Sequence, residues 1–219
     1  MEDERGGVVP DRASFTRTLG TLKQEGSNIL LVGAAAGTHE TACHQLLGAD
    51  ERDSRYRLFV TAGDDRTTAR DGDDVATDRV RTIDSREVLE IGTATDETET
   101  DRPSLGTLGI EIVETINDFD DSADGFSPSE LRVCVDSLVP LLQTYDTETV
   151  FRLLHMTTAR VDQANGMGHY HLPLDPDHDA VNLLEPMFDA VVTVRSRNGT
   201  DEQRWYLRET DTTTDWLEL

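Results

Sequence analysis

Short runs of consecutive apolar residues alternate along this chain with longer stretches in which apolar residues recur every three or four positions. Asn28-Ile29-Leu30-Leu31-Val32-Gly33 is continuous and ends on glycine, the pattern of a parallel strand covered on both faces. Tyr56 to Thr61, Val80 to Asp84, Leu131 to Leu138, Gly168 to Leu174 and Phe188 to Val194 read as further strands. Helical spacing places Phe15, Leu19 and Leu22 on one face of a first helix after a candidate cap at Asp11, and a second helix runs from about His39 to Leu47 after a small-residue loop, Ala34 to Thr38. Leu108, Ile112, Val113, Ile116 and Phe119 mark a third. Val150, Leu153, Leu154, Met156 and Val161 mark a fourth between Thr147 and Asn165, stopped by Gly166. A short helix holds Val181, Leu183, Leu184 and Met187, and Trp205-Tyr206-Leu207 with Trp216-Leu217 predicts a terminal hairpin or edge pair.

Strand and helix alternating in this way predict an α/β fold with a mainly parallel central sheet and helices on both faces. Ligands of such sheets bind outside the carboxyl ends of the strands, so the loops after Val32, Val60 and Val135 should share one rim. Residues 1–10 lack periodicity and read as a loose lead-in to a single domain spanning 11–219. Within it, Gly92 to Ser104 has no large apolar residue and reads as a mobile acidic loop.

Charge changes the picture of the setting. The 219 residues carry 44 acidic and 20 basic side chains, a formal net charge of -24, and Lys23 is the only lysine. A surface rich in Asp and poor in Lys stays hydrated in multimolar salt, where the Debye length falls to about 3 Å and self-repulsion is screened, which predicts a halophilic cytoplasm. No basic run exists for a phosphate backbone, so nucleic-acid binding by the chain alone is not expected. Neither is a membrane span, because no apolar stretch approaches the necessary length.

The loop after the first strand invites comparison with the phosphate-binding pattern G-x-x-x-x-G-K-[ST], in which backbone N–H groups cradle phosphate, lysine neutralises it and the hydroxyl holds the metal. Here it reads Gly33-Ala34-Ala35-Ala36-Gly37-Thr38-His39-Glu40-Thr41. Aligned on Gly33, Thr38 replaces the second glycine, His39 the lysine and Glu40 the hydroxyl. Moved by one residue, Thr41 recovers the hydroxyl but Glu40 faces the phosphate. Asp136, at the end of an apolar strand, stands where a metal-holding acid would, or else caps the next turn with Ser137. Gly33, Gly37, Thr38, His39, Thr41 and Asp136 therefore form a vestigial nucleotide rim, with no catalytic residue assigned and at most weak ATP and Mg²⁺ binding expected. Asp64 and Asp65 lie just beyond the second strand.

Other groups carry weaker signals. His169 and His171 alternate on one strand and point to one face, a spacing compatible with metal binding given a third ligand from His155, Asp136 or Asp175. Two histidines do not make a site, and hydrogen-bonded structural histidines are the simpler reading, so no metal is assigned. Cys43 and Cys134 lie far apart in sequence, each in an apolar context, and read as buried reduced thiols rather than a disulfide or a metal pair.

The runs Ile29-Leu30-Leu31-Val32-Gly33, Arg132-Val133-Cys134-Val135-Asp136-Ser137-Leu138 and Phe188-Asp189-Ala190-Val191-Val192 together resemble the core of RecA/KaiC-superfamily P-loop domains. The similarity is closer to a group of uncharacterised haloarchaeal members. It is carried by Gly106-Thr107-Leu108-Gly109-Ile110, Asp136 to Leu142, Val150 to His155 and Gly168-His169-Tyr170-His171-Leu172, and covers roughly residues 14 to 208. The resemblance implies a nucleotide-associated RecA/KaiC-like fold that often forms rings or joins signalling partners. Together with the missing lysine, it leads us to expect a non-catalytic regulatory or protein-interaction domain with an unknown protein partner or self-association. The alternatives are a nucleotide-binding switch with little or no hydrolysis and, less favoured, a metal-dependent enzyme.

Overall fold

The computed structural model describes residues 12–48, 55–62, 77–91 and 105–219. The lead-in, Asp11, Asp64, Asp65 and the acidic segment 92–104 lie outside these.

One sheet of nine strands organises the described chain, in the order β3-β2-β4-β5-β1-β6-β7-β8, with β9 also paired to β7. Its parallel part comprises β1 (Ser27–Val32), β2 (Tyr56–Thr61), β3 (Val80–Asp84), β4 (Leu131–Val135), β5 (Met167–Leu172) and β6 (Ala190–Arg197). All six residues of β1 are buried, as a continuous apolar run requires when strands flank it on both sides. The antiparallel edge is β7 (Thr200–Leu207), β8 (Thr212–Thr213) and β9 (Leu217–Glu218). β6 turns into β7 through Asn198 and Gly199, both at positive φ (54° and 82°), the combination a two-residue hairpin turn demands. Next to this edge, the Arg195 guanidinium stacks 3.6 Å from the centre of the Trp216 ring.

One sheet face is covered by α4 (Leu105–Ala123) and α6 (Thr147–Gln163), which bury Leu108, Ile112, Ile116 and Phe119, and Val150, Leu154 and Val161, against Leu30, Leu58, Val133 and Tyr170. Asp146 caps α6 by accepting a hydrogen bond from the Thr149 N–H. α1 (Arg12–Glu25) lays Phe15, Leu19 and Leu22 on the opposite face over Ile29, Leu31 and Trp205. α2 (Ala36–Leu47) adds Ala42 to that cluster and sets Cys43 and Leu47 against Phe59 and Cys134. Removing one of these fully buried side chains, as in Leu30→Ala, should cost about 2–5 kcal/mol.

Most elements lie where the apolar pattern puts them, and the following differences have local causes. α2 begins at Ala36, not near His39, because alanine favours helix and the Thr38 hydroxyl donates back to the Ala35 carbonyl at 2.5 Å, so Gly37 and Thr38 are helical and the loop shrinks to residues 33–35. β4 stops at Val135 rather than Leu138, since Pro140 opens α5 (Val139–Thr144) and Ser137 Oγ accepts the Val139 N–H. α3 (Ser85–Ile91), like α5, is too short to show a helical period. β6 runs on to Arg197, three residues past the apolar stretch, because the hairpin continues its pairing with β7.

Candidate functional site

The sheet brings the ends of β1 and β4 to one rim, with β5 between them. At the end of β1 the chain turns at Gly33, whose φ of +137° suits glycine and where an added Cβ would collide with the Val194 carbonyl. The Gly33 N–H donates to the Leu174 carbonyl (3.0 Å). Three residues later α2 has begun. Thr38 and His39 are buried in its first turn, whereas Gly37, Glu40 and Thr41 are exposed. The Thr41 hydroxyl donates to the Gly37 carbonyl at 3.3 Å. Asp136 is half-buried just past β4, its N–H donating to the Val60 carbonyl at 2.9 Å.

His39 points into the protein. Its Nε2 lies 2.7 Å from the Gly33 carbonyl oxygen and its Nδ1 lies 3.3 Å from Nδ1 of His171. A carbonyl only accepts, so His39 carries its proton on Nε2. Its bare Nδ1 then accepts, in the neutral pair, from Nδ1–H of His171, which leaves the His171 Nε2 lone pair facing inward.

What it faces is a cluster drawn from three elements. His39 and Cys43 share a face of α2 at i and i+4, His169 and His171 share a face of β5 at i and i+2, and Cys134 pairs in register with His169 from β4. The Cys43 and Cys134 sulfurs are 3.6 Å apart, with no disulfide. Cys43 Sγ is 3.2 Å from His169 Nε2, and Cys134 Sγ is 3.7 Å from His171 Nε2. These four residues each offer one ligand atom, all within 4.8 Å of one another, and each is at most 3% exposed.

The electrostatics are those of a thiol–imidazole cluster shut away from water. The hydrogen bond with Cys134 holds the Cys43 thiol well below its ordinary range, His169 and His171 act in the same sense, and burial opposes them. Burial depresses His169, opposed by Cys43 and reinforced by His171 and the buried Arg132 guanidinium. The two effects conflict, because a thiolate at Cys43 is favoured by the imidazolium that burial disfavours at His169. Cys43 is the group held low, since its sulfur is within reach of two polar partners at once.

Of the third ligands that spacing suggests for His169 and His171, none joins them. His155 is exposed on α6, on the other side of the sheet, beside a shallow cleft with Phe151 and Met187. Asp175 is exposed and bonded to the Asp177 N–H, and Asp136 is not in the four-residue group. Cys43 and Cys134 are buried thiols, as their contexts imply, but 91 residues of separation conceal that they touch. The available signal was the i, i+4 pairing of His39 with Cys43 set beside the alternating histidines. Among the described residues no helix is long and apolar enough to cross a membrane.

No curated protein matches the chain. Among solved structures it is similar to the uncharacterized protein PH0321 from Pyrococcus horikoshii, which was crystallised with an unknown peptide. The TM-score is 0.61 at 13% identity, over 94% of this chain and 97% of that one. It is similar also to the KaiC-like protein PH0186 from the same organism, with a TM-score of 0.56 at 12% identity over 89% of this chain and 85% of that one. The fold is thus RecA/KaiC-like, with its mainly parallel sheet and antiparallel carboxyl-terminal edge. Residues 26–194 match the profile of a family of unknown function, DUF7504, and the chain belongs to that family.

Proposed function

We propose that this chain is a non-catalytic RecA/KaiC-like domain that regulates or binds another protein, in the salt-rich cytoplasm of a halophilic archaeon. The observation that carries the reading is the burial of His39. The residue standing in for the phosphate-binding lysine is turned inward and bonded to the Gly33 carbonyl and to His171, so it presents no cation on the rim. A three-residue turn also leaves fewer free backbone N–H groups between strand and helix than a phosphate cradle uses. The acidic, lysine-poor composition supports the saline setting. A peptide bound to the similar Pyrococcus protein supports an interaction role.

Isothermal calorimetry with ATP and Mg²⁺ in multimolar KCl, beside a phosphate-release assay, tests this. The expected result is neither heat nor turnover. Saturable heat without turnover would favour the nucleotide-binding switch, and turnover abolished by Asp136→Ala would overturn the proposal.

A further inference from the structure

We propose that Cys43, Cys134, His169 and His171 form a four-ligand site for a single Zn²⁺ ion, with His39 as the residue that orients His171. A tetrahedral ion with Zn–S bonds of about 2.3 Å and Zn–N bonds of about 2.0 to 2.1 Å holds two sulfurs about 3.8 Å apart and a sulfur about 3.5 Å from a nitrogen. The chain spaces its sulfurs 3.6 Å apart and two of its four Cys–His pairs 3.2 and 3.7 Å, with all ligand atoms within 4.8 Å of one another. Two thiolates and two imidazoles are a donor set suited to zinc. A two-iron centre with this ligand set places its cysteines and histidines on different irons, and atoms packed within 4.8 Å leave no room for that.

Burial and charge agree with the geometry. Zn²⁺ with two thiolates has no net charge, so the complex sits in the interior without an unpaired ion. Loading forms two Zn–S bonds and displaces to solvent the Cys134 proton together with the one that Cys43 and His169 share. All four positions are filled by protein, the arrangement of a structural site rather than a catalytic one. The chain Gly33 carbonyl, His39 and His171 is the hydrogen-bonded backing that fixes a metal-bound imidazole in one tautomer. The ion would bind α2 to β4 and β5 beneath the rim and hold the turn at Gly33 closed. This site stands whether or not a nucleotide binds.

The test uses the full chain, reduced, stripped with a chelator and titrated in high salt with Zn²⁺ and separately with Co²⁺. One equivalent of each should bind, and the Co²⁺ form should show strong tetrahedral d–d bands with thiolate-to-cobalt charge transfer. Bound Zn²⁺ should protect both cysteines from a thiol reagent. Cys43→Ser and Cys134→Ser should each remove about half of the charge-transfer intensity and weaken binding more than about 100-fold. His39→Ala should keep the spectrum and the stoichiometry while losing about 10- to 100-fold in affinity. Should the cysteine variants not fold, the wild-type titration decides. Weak Co²⁺ binding without sulfur charge transfer, as an acidic surface would give, overturns the proposal. So does a Cys43–Cys134 disulfide that forms equally fast with Zn²⁺ present.

Discussion

His39 and His171, 132 residues apart, meet through their Nδ1 atoms at 3.3 Å, with both rings buried. The contact joins the first turn of α2 to the last residues of β5 and sets the direction of two imidazoles through one carbonyl, that of Gly33. The His39 side chain reaches inward to organise the interior and not outward to the rim.

Placing a lysine at position 39 should not by itself confer hydrolysis. His39→Lys would bury an ammonium beside His171 and lose the acceptor that positions it, at a cost of at least about 3 kcal/mol. The turn would still be three residues long. Denaturation in multimolar KCl should show a lower midpoint, and phosphate release should stay at background.

Gly33→Ala should be more damaging than its size suggests. At φ +137° an L side chain is strained, and its Cβ would meet the Val194 carbonyl of the neighbouring strand, so a loss of at least about 3 kcal/mol is expected. Thermal melting measures it. Gly199→Ala should cost less, since the hairpin turn has open space around it.

A pH dependence follows from the opposite end of β1. The Asn28 amide there donates to Asp162 Oδ1 at 2.6 Å, its carbonyl oxygen accepts from the Tyr170 hydroxyl, and Asp189 accepts the Asn28 N–H. Burial, with the charge of Asp189 adding to it, raises Asp162 from 3.8 to about 6, against the opposing Asn28 hydrogen bond. The folded chain therefore holds this proton more tightly than the unfolded one. Its contribution is fully present below about pH 4 and is lost as the pH rises through about 6. Asp162 is exposed as a residue even though its carboxylate leans over Asn28, so the contribution should stay below about 1 kcal/mol. Asp162→Asn, which can still accept from Asn28, should flatten the slope of urea-unfolding stability between pH 4 and 6.

Strands β1, β2, β4 and β6 are legible in the sequence because each rests on a local apolar run. Ile29 to Val32 is apolar without interruption, and a strand buried on both faces has no other composition available to it. α4 and α6 were legible for the same reason, their apolar residues falling on one side at helical spacing. α3 and α5 were not, since six or seven residues give less than two turns in which a period could appear.

The order of the apolar blocks determined the fold class, because a buried parallel sheet imposes its pattern on every strand. The single lysine at position 23 likewise determined that no lysine lies in the loop after β1. What only the tertiary structure decided was the company of that loop. The parallel register of β4 with β5 sets Cys134 beside His169, and the packing of α2 on that face lowers Cys43 and His39 onto them. Such contacts depend on strand order, which brings distant segments together without marking either one, so residues that looked like separate thiols and structural histidines become one cluster.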